Sequence, residues 1–205
     1  MDLKNILAIL TVTTLGGALA TTASAAEETK DSNGVASFET GDLTLDFVSS
    51  FDFGNHPISK NDEIYSAAAQ QLDDGRTVPN YAQVTDLRGT GNGWRLNVQQ
   101  QSQFIATKDG KELEGAQIQF ENGVVTSEST NAPQDVTQSV NLTPGVSEKI
   151  VMANENEGTG TWVYGLGDDS TKEESVHLAV PGKSFKAADS YKTILTWALL
   201  DAPEN

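Results

Sequence analysis

From residue 35 onward the chain is cut into short runs of β-branched, aromatic and aliphatic residues, separated by Gly, Asn, Asp or Pro. Runs of that length cannot supply the three or four turns of a stable helix, but they suit strands that bury one face each. The runs fall at 35–38, 43–53, 82–88, 93–100, 115–121, 123–127, 136–142, 147–153, 160–166, 174–180 and 190–200. Many short strands with frequent turns predict an all-β domain, a two-layer sandwich or a barrel-like variant of one. At most one short helix is expected, in an inserted loop over Asp62–Leu72, the alternative being an irregular excursion. Its Ala- and Gln-rich composition favours helix, Asn61 or Asp62 could cap it, and Gly75 lies beyond its end.

Ahead of this pattern stands a different kind of segment. Lys4 and Asn5 precede an apolar stretch from Ile6 to Ala20, and Ala23-Ser24-Ala25 supplies the small-x-small site of a signal peptidase. Residues 1–25 read as a signal peptide, with cleavage before Ala26. The stretch is too short and too rich in Thr and Gly to span the roughly 30 Å of a bilayer core, so no membrane span is expected in the mature chain. Residues 26–40 read as a flexible polar leader and residues 41–205 as the β domain.

Charge and composition narrow the chemistry. With 29 acids against 13 bases the formal charge is −16. Loss of residues 1–25 leaves it unchanged, because that segment holds one acid, Asp2, and one base, Lys4. Such a chain repels phosphate backbones, so nucleic acid is not an expected partner. There is no cysteine and there are only two histidines, His56 and His177. Disulfide scaffolds, thiolate metal sites and cysteine nucleophiles are thereby excluded. An exported chain without cysteine points to a bacterium lacking an oxidising periplasm. The acids Asp73-Asp74, Glu155, Glu157, Asp168-Asp169 and Glu173-Glu174 cluster in loops, where solvated carboxylates are the ordinary outcome. No nucleophile, base and oxyanion donor can be grouped, so neither an enzyme, a resident metal nor a cofactor is expected. After Leu200 come only Asp-Ala-Pro-Glu-Asn, with no sorting signal, and no lipidation cysteine stands near the cleavage site. Attachment to a cell is therefore expected to be non-covalent.

Two segments carry the functional signal. In Gly93-Trp94-Arg95-Leu96-Asn97-Val98-Gln99, Trp94, Leu96 and Val98 share one strand face. Upstream, Asp86 and Arg88 point the same way on the preceding strand, and the glycine-rich 89–93 connection reads as a hairpin. An exposed pair of this kind contributes roughly 0–1 kcal/mol, so its expected use is to set geometry. In the last strand Tyr191, Thr193, Leu195, Trp197 and Leu199 share one face, while the other face, Ile194, Thr196, Ala198 and Leu200, is also largely apolar. That pattern predicts a central or covered strand rather than a wet edge.

Val84-Thr85-Asp86-Leu87-Arg88-Gly89-Thr90 leading to Gly93-Trp94-Arg95-Leu96 resembles the first hallmark of the WxL cell-surface domain. Tyr191-Lys192-Thr193-Ile194-Leu195-Thr196-Trp197-Ala198-Leu199, with Asp201-Ala202-Pro203, resembles the second. Gly160–Val163 and Val176–Pro181 are similar to its connecting segments, so the likeness runs from about Gly41 to Asn205. The resemblance implies a secreted surface protein of low-GC Gram-positive bacteria, of the small single-domain type, held non-covalently at the cell wall through peptidoglycan. It also implies surface assemblies with other WxL proteins and a membrane-anchored WxL-interacting protein. The binding residues it suggests are Trp94 and Leu96 with Asp86 and Arg88 in the first motif, and Trp197 and Leu199 in the second.

Two readings of the motif tryptophans stand side by side. They are core residues, given the large area an indole buries, or they form an apolar strip that stacks on sugar rings or seats a partner. Trp162, sharing a face with Tyr164, reads as core. A protein charged at −16 is repelled by the anionic polymers of a Gram-positive wall over a Debye length. Wall recognition is therefore expected to be short-range, through apolar and hydrogen-bonding surface, and to be helped by salt, low pH or divalent cations.

Overall fold

The computed structural model describes residues 34 and 36–201. The expected signal peptide and most of the polar leader lie outside them. Residues 36–38, expected as a strand with Val35, are irregular, and Val35 is outside the described residues.

Residues 39–201 form antiparallel sheets and, among the described residues, no helix. The first sheet runs β1 (Leu43–Val48), β5 (Asn80–Asp86), β13 (Gly160–Leu166), β9 (Gly123–Thr126). The second runs β10 (Asp135–Val136), β12 (Ser147–Ala153), β6 (Trp94–Gln100), β16 (Leu195–Asp201). These two lie face to face, with β1 against β16 at one flank and β9 against β10 at the other. A third sheet of β11 (Val140–Asn141), β8 (Gln117–Phe120), β14 (Val176–Val180) and β2 (Glu63–Ser66) extends the core. Two short ladders, β3 (Gln70–Gln71) with β4 (Thr77–Val78) and β7 (Ile105–Ala106) with β15 (Tyr191–Lys192), complete the strands. The expected all-β, sandwich-like class is the observed one.

The core follows from period-two alternation. In β5 and β6 every second residue is buried, so Ala82 and Val84 meet Trp94, Leu96 and Val98 from the facing layer. β12 adds Ile150, Val151 and Ala153, and β13 adds Trp162 and Tyr164. Phe120 of the third sheet, fully buried, links the parts: its ring lies 5.3 Å from Phe51 and 6.2 Å from Trp197.

Three expectations are overturned. Asp62–Leu72 is not a helix but β2 followed by an irregular stretch and β3. Tyr65 pairs with Leu178, and the Ala67 amide continues the ladder onto the Val176 carbonyl at 2.8 Å. An alanine-rich composition yields here to cross-strand pairing, the usual tertiary override of propensity. The 89–93 connection is not a hairpin, since β5 and β6 lie in different sheets and it arches between layers. Finally, β16 is not central. Among the described residues it is hydrogen-bonded to β6 alone, and Ile194 and Leu200 face solvent.

Candidate functional site

The two Trp-x-Leu segments are neighbours. β6 and β16 pair antiparallel with Leu96 opposite Leu199, Trp94 opposite Asp201 and Val98 opposite Trp197. The motifs are thus related by a local two-fold through the leucine pair, with all six inner side chains on one face. The indoles flank that pair on opposite sides, and Trp197 stands four residues from Asp201, about 13 Å along the strand.

Arg88 clasps this arrangement at the Trp94 end. Its guanidinium donates to Asp86 through Nε (2.9 Å) and Nη2 (2.8 Å), to the Gly93 carbonyl (2.8 Å), and through Nη1 to the Asp201 carboxylate. Asp86 and Arg88 are nearly closed to solvent, their side chains 3% and 11% exposed, whereas Asp201 is open. Hydrogen bonding from the Arg88 side chain holds the Asp86 carboxyl below its ordinary range against the opposing cost of burial. The pair expected to set geometry is thus largely closed to solvent and ties β5 to the residue preceding β6 and to β16, with the charge-assisted fork geometry suited to arginine.

Trp94 is locked from the other side. Its indole is 1% exposed, and Nε1 donates to the Gly158 carbonyl at 2.9 Å. A Cβ on Gly158, at φ +75°, would lie 2.5 Å from that nitrogen. Gly93, also at φ +75°, leaves no room for a Cβ, which would fall 2.1 Å from the Ala153 carbonyl. Gly158 lets the backbone close on the ring, and Gly93 lets the arch close on the end of β12. Gly158 was not singled out by sequence reasoning, although Glu157-Gly158-Thr159-Gly160 just before β13 is a turn signal.

The second motif has another environment. Trp197 and Leu199 are half-buried, and Trp197 lines an open groove of about 1460 Å³. One wall is the 48–58 segment and the other is 186–195. Aromatic rings from Phe53, His56, Tyr65 and Tyr191 line it beside Trp197, with His56 stacked on Tyr65 at 4.0 Å. Burial, and then the charge of Glu63, raise the Tyr65 phenol. The second wall is pinned by Lys186, which donates to the Pro181 (2.8 Å) and Ser184 (3.2 Å) carbonyls, and by the Ala187 amide on the Tyr191 hydroxyl (2.8 Å). Asp189 accepts from Thr107 Oγ1 (2.9 Å) and the Lys108 and Ser190 amides (2.8 Å each), and these bonds, led by Lys108, lower its carboxyl. A groove with aromatic surface and fixed polar walls suits a sugar or peptide ligand.

The remaining chemistry-bearing groups are dispersed. His177 lies across the third sheet between Ser66 (3.3 Å to Nδ1) and Glu121 (4.0 Å from Nε2). This row is on an exposed ladder, away from the groove. Asp168 is held down to about 2 by hydrogen bonds from Ser170 and Thr171, which close its own turn. Trp162 and Tyr164 are buried, donating to the Thr159 and Thr137 carbonyls. Among the described residues no three His, Asp or Glu side chains converge as a metal site would require.

Set against known proteins, residues 22–203 match the family model described as WxL domain surface cell wall-binding. No curated protein matches, and no solved structure does.

Proposed function

The chain belongs to the WxL domain family of surface cell wall-binding proteins, and from that premise we propose that it holds to peptidoglycan through the groove beside Trp197, without catalysis. The observation that carries the reading is the partition of the two motifs: Trp94 is sealed inside the sandwich, whereas Trp197 opens onto an aromatic-lined groove. The flat faces of Trp197, Tyr65 and Tyr191 can stack against sugar C–H surfaces, while Asp52 and Lys108 stand at the walls for hydroxyl, amide or carboxylate groups. Asp86, Arg88, Trp94, Leu96 and Leu199 then act as positioning residues. Residues 1–25 direct export and residues 41–205 form the wall-binding domain. The N-terminal sequence of protein recovered from culture medium or the cell surface begins at Ala26.

The test is co-sedimentation of the purified protein with peptidoglycan stripped of anionic polymers. Wild type pellets, and binding persists across a salt series because little opposite charge is involved. Trp197→Ala weakens the association constant by about an order of magnitude, since an aromatic hot spot carries upwards of about 1.4 kcal/mol. If the wild type stays in solution with bare peptidoglycan yet binds whole walls, association is indirect and the reading fails. Release of soluble wall fragments would overturn the non-catalytic part.

A further inference from the structure

The outer edge of β16 offers a second site, which shares Leu195 and Trp197 with the groove but uses their main chain. The Gln101 amide donates to the Ile194 carbonyl at 2.8 Å, and on the other side of β6 the Gly145 amide donates to Gln100 at 2.8 Å. Antiparallel alternation then directs the main-chain groups of Ile194, Thr196, Ala198 and Leu200 toward β6, and those of Leu195, Trp197 and Leu199 outward. Among the described residues nothing pairs with that outward row.

The other edges of the three four-stranded sheets are guarded or short: β9 is four residues long, and its Gly123 amide donates to the Gln138 carbonyl at 2.9 Å. β1 carries Asp46 and a register irregularity between Leu45 and Phe47, β2 carries Glu63, and β10 and β11 are two residues long. Charge, bulges and shortness are the ordinary means of blocking edge pairing. β16 has no bulge and is seven residues long, and its one charge, Asp201, stands at its last position; Thr193 to Leu200 contain no charge, proline or glycine. At the same flank Leu43 and Leu45 of β1 and Leu195, Trp197 and Leu199 of β16 remain half-buried.

We propose that the β16 edge takes an added strand from a different protein: an extended segment of similar length, apolar at every second position and otherwise uncharged or basic. Main-chain bonds to Leu195, Trp197 and Leu199 would give affinity, and the alternate apolar side chains would cover the half-buried residues of this flank. Charge selects this occupant over a second copy. Each copy brings −16, and Asp42 and Asp201 stand at the same end of the flank, since Leu43 is in register with Asp86 and Arg88 joins Asp86 to Asp201. A basic strand relieves that field, whereas a second protomer doubles it.

The experiment titrates the full chain with a short synthetic peptide of alternating valine and lysine. Its isomer, with the valines in one block and the lysines in another, carries equal charge without the pattern. Amide hydrogen exchange is read residue by residue. The alternating peptide slows exchange at Leu195, Trp197 and Leu199 by about tenfold or more while the block isomer does not, and Leu199→Pro abolishes the effect. Should that variant fail to fold, a nitroxide on the alternating peptide broadens β16 resonances and spares β9. Equal protection by both peptides, protection elsewhere, or protection of these amides by raising protein concentration alone would each overturn the proposal. Because the readout is β16 exchange and not wall binding, failure here leaves the groove reading standing, and the converse holds.

Discussion

The two Trp-x-Leu motifs are alike in sequence and opposite in environment. The first lies on β6, flanked by β12 and β16, with Trp94, Leu96 and Val98 all buried. The second lies on β16, flanked on one side only, with Trp197 and Leu199 half-covered. Directly opposed leucines and a near two-fold relation do not give equal burial, because burial depends on what stands on the far side of each strand. The same tripeptide can serve as a keystone in one strand and as a contact surface in its neighbour.

Substitution sharpens this contrast. Trp94→Ala opens a cavity in the most enclosed part of the sandwich and removes the bond to Gly158. It costs roughly 3–5 kcal/mol in chemical denaturation. Arg88→Met comes next, at roughly 3 kcal/mol, the low end for a broken buried pair, because Asp86 can take up a proton once its partner is gone. Trp197→Ala, by contrast, removes a half-covered ring and costs about 1–2 kcal/mol, its main effect falling on the proposed peptidoglycan binding. Equal losses at Trp94 and Trp197 would erase the distinction. Leu200→Ser, on the solvent face of β16, changes stability by no more than about 0.5 kcal/mol.

The clasp also has a pH signature. Arg88 depresses the Asp86 pKa in the folded state relative to an unfolded value near 3.9. Its stabilisation is therefore fully present above that unfolded value and is lost as pH falls through the lower folded one. A melting-temperature profile across this acid range shows a fall in the wild type that is smaller in Arg88→Met.

Much of this was legible in the chain. Alternation in Trp94–Gln99 and in Tyr191–Leu200 announced which side chains share a face, because strand periodicity is local. The placement of Trp162 and Tyr164 followed from the same rule. What failed was non-local. Asp62–Leu72 has helical composition, and only the pairing of Tyr65 with Leu178 makes it a strand. Gly89–Gly93 looks like a hairpin turn because nothing local tells a turn within a sheet from an arch between sheets. The apolar outer face of β16 suggested a central strand, and only the sheet order shows an edge. The groove could not be anticipated, since its walls come from residues 48–58 and 186–195.

The pairing of β6 with β16 joins positions about a hundred residues apart, and the Arg88 clasp completes that junction through Asp201. Synthesis proceeds from the amino end, so Trp94 emerges long before the strand that walls its sheet. The second layer cannot be finished until residue 201 has left the ribosome, and a chain stopped earlier lacks one border of its interior ladder. Completion of the second sheet thereby waits for the last strand of the chain.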